Sequence, residues 1–66
     1  MKGPLTKPHV KLIGHNGNAF SIMGRVKKAL MLAGADKEYI DKYLNKATSG
    51  DYDHLLVVST EYVNVE

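Results

Sequence analysis

Two polar stretches hold most of the side chains able to do chemistry. Thr48-Ser49-Gly50-Asp51-Tyr52-Asp53-His54 gathers two carboxylates, hydroxyls, a phenol and an imidazole into one short block. Such groups serve as metal ligands, as general acids and bases, or as the polar wall of a pocket. Gly14-His15-Asn16-Gly17-Asn18 is the second stretch, and it lies just before a strong helical pattern. Glycine and asparagine there permit sharp turns, and the start of a helix offers unpaired N–H groups and the positive end of its dipole.

Each chemistry has a spacing requirement, and most are not met. Asp51, Asp53 and His54 match no metal-binding module, so no metal and no cofactor are expected. Ser21, Ser49 and Ser59 stand beside His9, His15 and His54 without a nucleophile elbow or a paired-carboxylate arrangement. No catalytic residue is assigned, and the chain reads as a non-enzyme.

An anion site fits better. Backbone N–H groups of Gly17 and Asn18 would cradle the anion, with Gly14, His15 and Asn16 shaping the loop. Arg25 would supply charge-assisted hydrogen bonds, and Lys28 lies one turn further on. Asp51, Tyr52 and His54 would form the opposite wall, with Tyr52 stacking on a base. The loop matches neither the phosphate-loop pattern nor the dinucleotide fingerprint. Its structural alternative is a turn and a helix cap.

The elements that would position these groups follow from periodicity. His9 to Ile13 alternates like a strand, with Val10 and Leu12 on one side of Lys11. A helix is expected from about Asn18 to Ala33, capped by Asn18, or by Asn16 if it starts earlier, with Ala19, Ile22, Met23, Val26, Ala29, Leu30 and Ala33 as its core stripe. Gly34 occupies the usual stop position. Phe20, Gly24, Lys27 and Met31 line one flank of that helix, where a glycine between large apolar residues permits close approach by the monomer or by a second subunit. Asn18, Ser21 and Arg25 line the other.

A second helix is expected from Lys37 to Thr48, capped by Asp36, with Tyr39, Ile40, Tyr43, Leu44 and Ala47 facing inward. Thr48 or Ser49 is the expected cap of a third, with Asp51 and Asp53 in its first turn. Leu55-Leu56-Val57-Val58 is β-rich, yet Leu55, Val58 and Tyr62 keep helical spacing, and the cap and acids favour a helix from Asp51 to Glu61. Tyr62 to Val65 is then a short final strand, with Val63 and Val65 inward. The expected fold is a small α+β domain, β-α-α-α-β, with two short terminal strands packed with three helices. Met1 to Pro8, bearing Gly3, Pro4 and Pro8, reads as a flexible or extended arm, and residues 9–66 as the single globular domain.

Bulk properties narrow the function classes. With 66 residues and no cysteine, no disulfide supplements a small core, and self-association into a homo-oligomer is expected. A net charge of +2 is too mild to indicate nucleic acid, and the basic residues Lys2, Lys7, Lys11, Arg25, Lys27 and Lys28 are diluted by seven acids. No apolar run reaches the ~20 residues that span a bilayer, and no signal-like leader is present, so a cytoplasmic location without membrane partners is expected.

Gly17-Asn18-Ala19-Phe20, Ile22, Gly24-Arg25-Val26 and Ala29-Leu30, followed by Ala33-Gly34 and Ala47-Thr48-Ser49-Gly50-Asp51-Tyr52-Asp53-His54-Leu55-Leu56, carry a resemblance. Over about Val10 to Glu66 the chain resembles a group of short proteins of bacteria, phages and mobile elements to which no activity is assigned. In that group an aromatic residue precedes the final Val-x-Val-Glu, a place filled here by Tyr62. The more polar, helix-like segment before it implies a helix over Leu55 to Glu61. A phage setting implies an inhibitor of a host system, acting by sequestering a signalling nucleotide or by blocking a host protein. The first expectation is therefore a binding protein for a small anionic ligand such as a nucleotide. The second is a protein inhibitor or adaptor using Phe20, Gly24 and Met31 as its interface, and the third, less favoured, a nucleic-acid binder.

Overall fold

The computed structural model describes residues 1–11 and 18–66. The element order is β1 (His9–Val10), α1 (Ala19–Leu32), α2 (Lys37–Ala47), α3 (Tyr52–Tyr62) and β2 (Asn64–Val65), the expected β-α-α-α-β arrangement. β1 and β2 pair in parallel, His9 opposite Asn64 and Val10 opposite Val65. Asn64 N–H donates to the Pro8 carbonyl and Glu66 N–H to that of Val10, each at 2.8 Å. A parallel pair needs a long crossover, and the three helices are that crossover. The strand is shorter than expected, Lys11 lying beyond its end, and Leu12 and Ile13 lie outside the described residues.

Each helix begins on a side chain that accepts an otherwise unpaired backbone N–H. Asn18 Oδ1 takes Ser21 N–H at 3.0 Å, Asp36 Oδ1 takes that of Tyr39 at 2.9 Å, and Asp51 Oδ1 takes that of His54 at 2.9 Å. The Tyr39 bond is the first cause holding the Asp36 carboxyl below its ordinary value. α1 stops at Gly34, whose φ of +98° is a conformation a side chain would strain. Gly34 N–H returns to the Met31 carbonyl and Ala35 N–H to that of Leu30, the paired reverse bonds of a glycine-ended helix.

The third helix corrects one expectation. Neither Thr48 nor Ser49 caps it; Asp51 does, and Thr48 closes α2 instead, its hydroxyl donating to the Leu44 carbonyl at 2.8 Å. Over the β-rich run the helix wins because Leu55, Val58, Ser59 and Tyr62 form one buried face at helical spacing, while Val57 points to solvent.

The core is built from Ile22, Val26 and Leu30 of α1, Ile40, Tyr43 and Ala47 of α2, and Leu55, Val58 and Tyr62 of α3, with Val10 and Val63 from the sheet end. Tyr62 meets Tyr43 edge-on with ring centres 5.1 Å apart, and Tyr39 likewise at 5.5 Å. Residues 1–8 run without regular structure across the α1–α2 turn. The Lys2 backbone exchanges bonds with Asp36, and Leu5 N–H donates to the Ala33 carbonyl at 2.9 Å.

One polar side chain, Ser59, is buried in this core. Its hydroxyl donates to the Leu55 carbonyl at 2.9 Å, which uses its only hydrogen. The Tyr43 hydroxyl, 2.8 Å away, must therefore be the donor to Ser59 Oγ. Burial pushes the Tyr43 phenol above its ordinary value, against the opposing effect of the Ser59 bond, so the donor proton is retained. Replacing Ser59 with Ala strands a buried donor and is expected to destabilise the fold by about 1–3 kcal/mol in urea unfolding. Adding Tyr43→Phe to that variant should recover most of the loss; a Ser59→Ala change that is neutral by itself would show that the bond is not made.

Candidate functional site

A cleft of about 300 Å³ opens where the start of α1 faces the α2–α3 turn. α1 lines it with Ala19, Phe20 and Met23, α2 with Ala47 and the adjoining Thr48, and the next turn with Gly50, Asp51, Tyr52 and Leu55. The Thr48–His54 block and the start of α1, which follows Asn18, thus line one cleft within a single chain. Gly14, His15, Asn16 and Gly17 lie outside the described residues, and Asn18 is the first residue of the loop that can be placed.

The polar atoms of the Thr48–His54 block serve the turn itself. Ser49 Oγ donates to the Lys46 carbonyl at 2.7 Å, and His54 Nε2 lies 2.9 Å from that same oxygen. A carbonyl only accepts, so His54 carries its hydrogen on Nε2 there, with Ser49 Oγ 3.1 Å from the same nitrogen. Two donors from the start of α3 and the turn thereby satisfy the last turn of α2. Further along, Lys46 Nζ and Glu61 Oε2 join the same two helices at 2.9 Å. That bond is the largest cause of the lowered Glu61 carboxyl and of the raised Lys46 ammonium. Asp51 Oδ1 is occupied by the helix cap, as is Asn18 Oδ1.

Charge does not converge on the cleft. Asp51 is the one charged residue of its described lining, and it is an acid. Arg25 and Lys28 are exposed on α1 but are not among the lining residues. The reason is helical phase: at ~100° per residue Arg25 points roughly 120° away from Ala19 and Lys28 roughly 180°. Tyr52 does line the cleft and is partly exposed, and among the described residues no group of three His, Asp or Glu is placed to hold a metal.

The other candidate surface is the flank of α1 that includes Phe20, Gly24, Lys27 and Met31. Phe20 is 80% exposed and Met31 57%, both large apolar side chains turned to solvent. A Cβ built on Gly24 meets nothing within 4 Å. This stripe enters the cleft at Phe20 and, at its other end, a groove of about 400 Å³ between α1 and α2. That groove is lined by Lys27, Met31, Ala35, Lys37, Ile40 and Asp41. The helical spacing of these residues was legible in the sequence. The groove was not, because it needs Ala35, Lys37, Ile40 and Asp41 of the following turn and α2.

Comparison with known proteins finds no matching family model, no similar curated protein and no similar solved structure. Function is therefore read from these surfaces alone.

Gly50 is a structural requirement of the turn. An added Cβ would lie 2.6 Å from the His54 ring carbon Cγ and 2.8 Å from its Cβ, atoms near the backbone that cannot swing clear. Gly50→Ala is expected to displace the ring from the Lys46 carbonyl and to destabilise the fold by about 1–3 kcal/mol in chemical unfolding. Unchanged stability, with His54 keeping its NMR shifts, would contradict that assignment.

Proposed function

We propose that the protein is a non-catalytic interaction module that docks a protein partner on the Phe20–Gly24–Met31 flank of α1. The observation that carries this reading is Gly24. Glycine inside a helix destabilises it by roughly 0.5–1 kcal/mol relative to alanine. That loss is ordinarily offset by something that approaches the backbone, yet no atom of the described chain occupies the space above Gly24. Two exposed large apolar residues flank the gap on the same stripe. The contact that would use them comes from another molecule.

The anionic-ligand reading gains less support. The one charged residue of the described lining has the wrong sign for an anion, and Asp51 and His54 are engaged in capping and closing the α2–α3 turn. Nucleic-acid binding would use the cations of α1 but leaves its apolar stripe without a role. Among the described residues no helix is long and apolar enough to cross a membrane.

Phe20→Asp is the decisive variant, because Phe20 contributes little to the core and its loss leaves the fold intact. Captured partner from host lysate, mapped by cross-linking, should contact α1 and be lost with Phe20→Asp while helix content and unfolding midpoint are unchanged. A partner retained by Phe20→Asp, or cross-linked only to other helices, would sink the proposal.

A further inference from the structure

We infer that the occupant of this flank is an acidic amphipathic helix of about three turns, a conclusion that rests on the docking reading above and narrows it. The first support is charge. α1 carries Arg25, Lys27 and Lys28 and no acid anywhere along its length. The seven acids of the chain lie elsewhere: Asp36, Glu38 and Asp41 at and on α2, Asp51, Asp53 and Glu61 at and on α3, and Glu66 after β2. Lys27 stands within the apolar stripe, Lys28 beside it, and Lys37 on the facing wall of the groove. A partner seated on the stripe meets cations on both sides, which favours acids at its own flanks. Asp41 is the exception in the groove lining, so the partner's acids belong toward Lys27 and Lys28 and away from Asp41.

Shape is the second support. From Phe20 to Met31 a helix rises roughly 16 Å, the length of three turns. The surface there is an exposed helical stripe that opens at its Met31 end into a groove walled by Ala35 and Ile40. An apolar stripe that runs along one helix and passes over the open space at Gly24 suits a second helix whose apolar residues recur every third or fourth position. A bilayer surface would instead require a broad apolar face lying in one plane, and a nucleic-acid backbone would make no use of Phe20 or Met31.

The test is selection from a displayed library of helical peptides of about 18 residues, long enough to hold helical structure, against the immobilised full chain. Phe20→Asp serves as the counter-target. Binders sensitive to Phe20→Asp should carry a net acidic polar face. A selected peptide, followed by fluorescence anisotropy, should weaken about tenfold or more with Lys27→Glu plus Lys28→Glu, and weaken as salt is raised. Phe20-dependent binders that are neutral or basic, or indifferent to the charge reversal, would overturn the acidic occupant and leave the docking reading standing. No Phe20-dependent binder at all would overturn both. The same variants, run in sedimentation and in retention on phosphatidylserine vesicles and duplex DNA, complete the test. A Phe20-dependent dimer, or retention lost on charge reversal but kept by Phe20→Asp, would give the surface to a second copy, a lipid or a nucleic acid and overturn the inference.

Discussion

Through the single oxygen of Ser59, α3 is tied to its own preceding turn and to Tyr43 of α2. The interaction is buried, and a buried hydroxyl without a partner is costly, so the two helices have one acceptable register against each other. Tyr62, one turn beyond Ser59, then stacks edge-on against Tyr43 and Tyr39. The α2–α3 pair fixed in this way is the platform on which α1 lays Ile22, Val26 and Leu30. With α3 held, Val63 is buried beneath it and β2 arrives parallel to β1.

That platform also decides which parts of α1 remain outside. Once Ile22, Val26 and Leu30 point inward, the flank of Phe20, Gly24 and Met31 is turned roughly 140° from the core direction, and no described part of the chain closes over Gly24. The same rotation carries Arg25 away from the cleft. The α2–α3 turn, drawn together by His54 and Ser49 on the Lys46 carbonyl, supplies the far wall of that cleft. Lys2, Lys7, Lys11, Lys37, Lys42 and Lys46 lie off α1, but α1 carries Arg25, Lys27 and Lys28 with no acid, so the apolar stripe lies on a helix of one sign of charge.

Much of the fold was legible because its determinants are local. Asn18 and Asp36 cap as their types suggest, Gly34 stops α1, and the spacing of Leu55, Val58 and Tyr62 outweighs the β preference of the residues between them. Local pattern alone does not single out Asp51 as the cap of α3, because Thr48 and Ser49 are equally good caps by type. What separates them is that their hydroxyls already serve the carbonyls at the end of α2, a contact between neighbouring elements that no local pattern records. The docking of residues 1–8 on Asp36 and Ala33, and the parallel sense of the two strands, are likewise long-range. For the candidate site, the apolar flank followed from helical phase alone. The proposed convergence of Arg25 with Asp51 and His54 did not account for that phase, and Gly14, His15, Asn16 and Gly17 are outside the described residues.

The central claim is that Gly24 is kept for a contact from outside the chain. Its most direct test is chemical unfolding of Gly24→Gln, with and without a peptide selected on the wild-type protein. Glutamine is a good helix former with open space to occupy, so the variant by itself should be more stable by about 0.5 kcal/mol. The peptide should raise the unfolding midpoint of the wild type by mass action and do so much less for the variant, whose side chain occupies the space above position 24. A variant less stable by itself, or one that keeps the whole peptide-dependent rise, would show that the space above Gly24 is not where the partner sits.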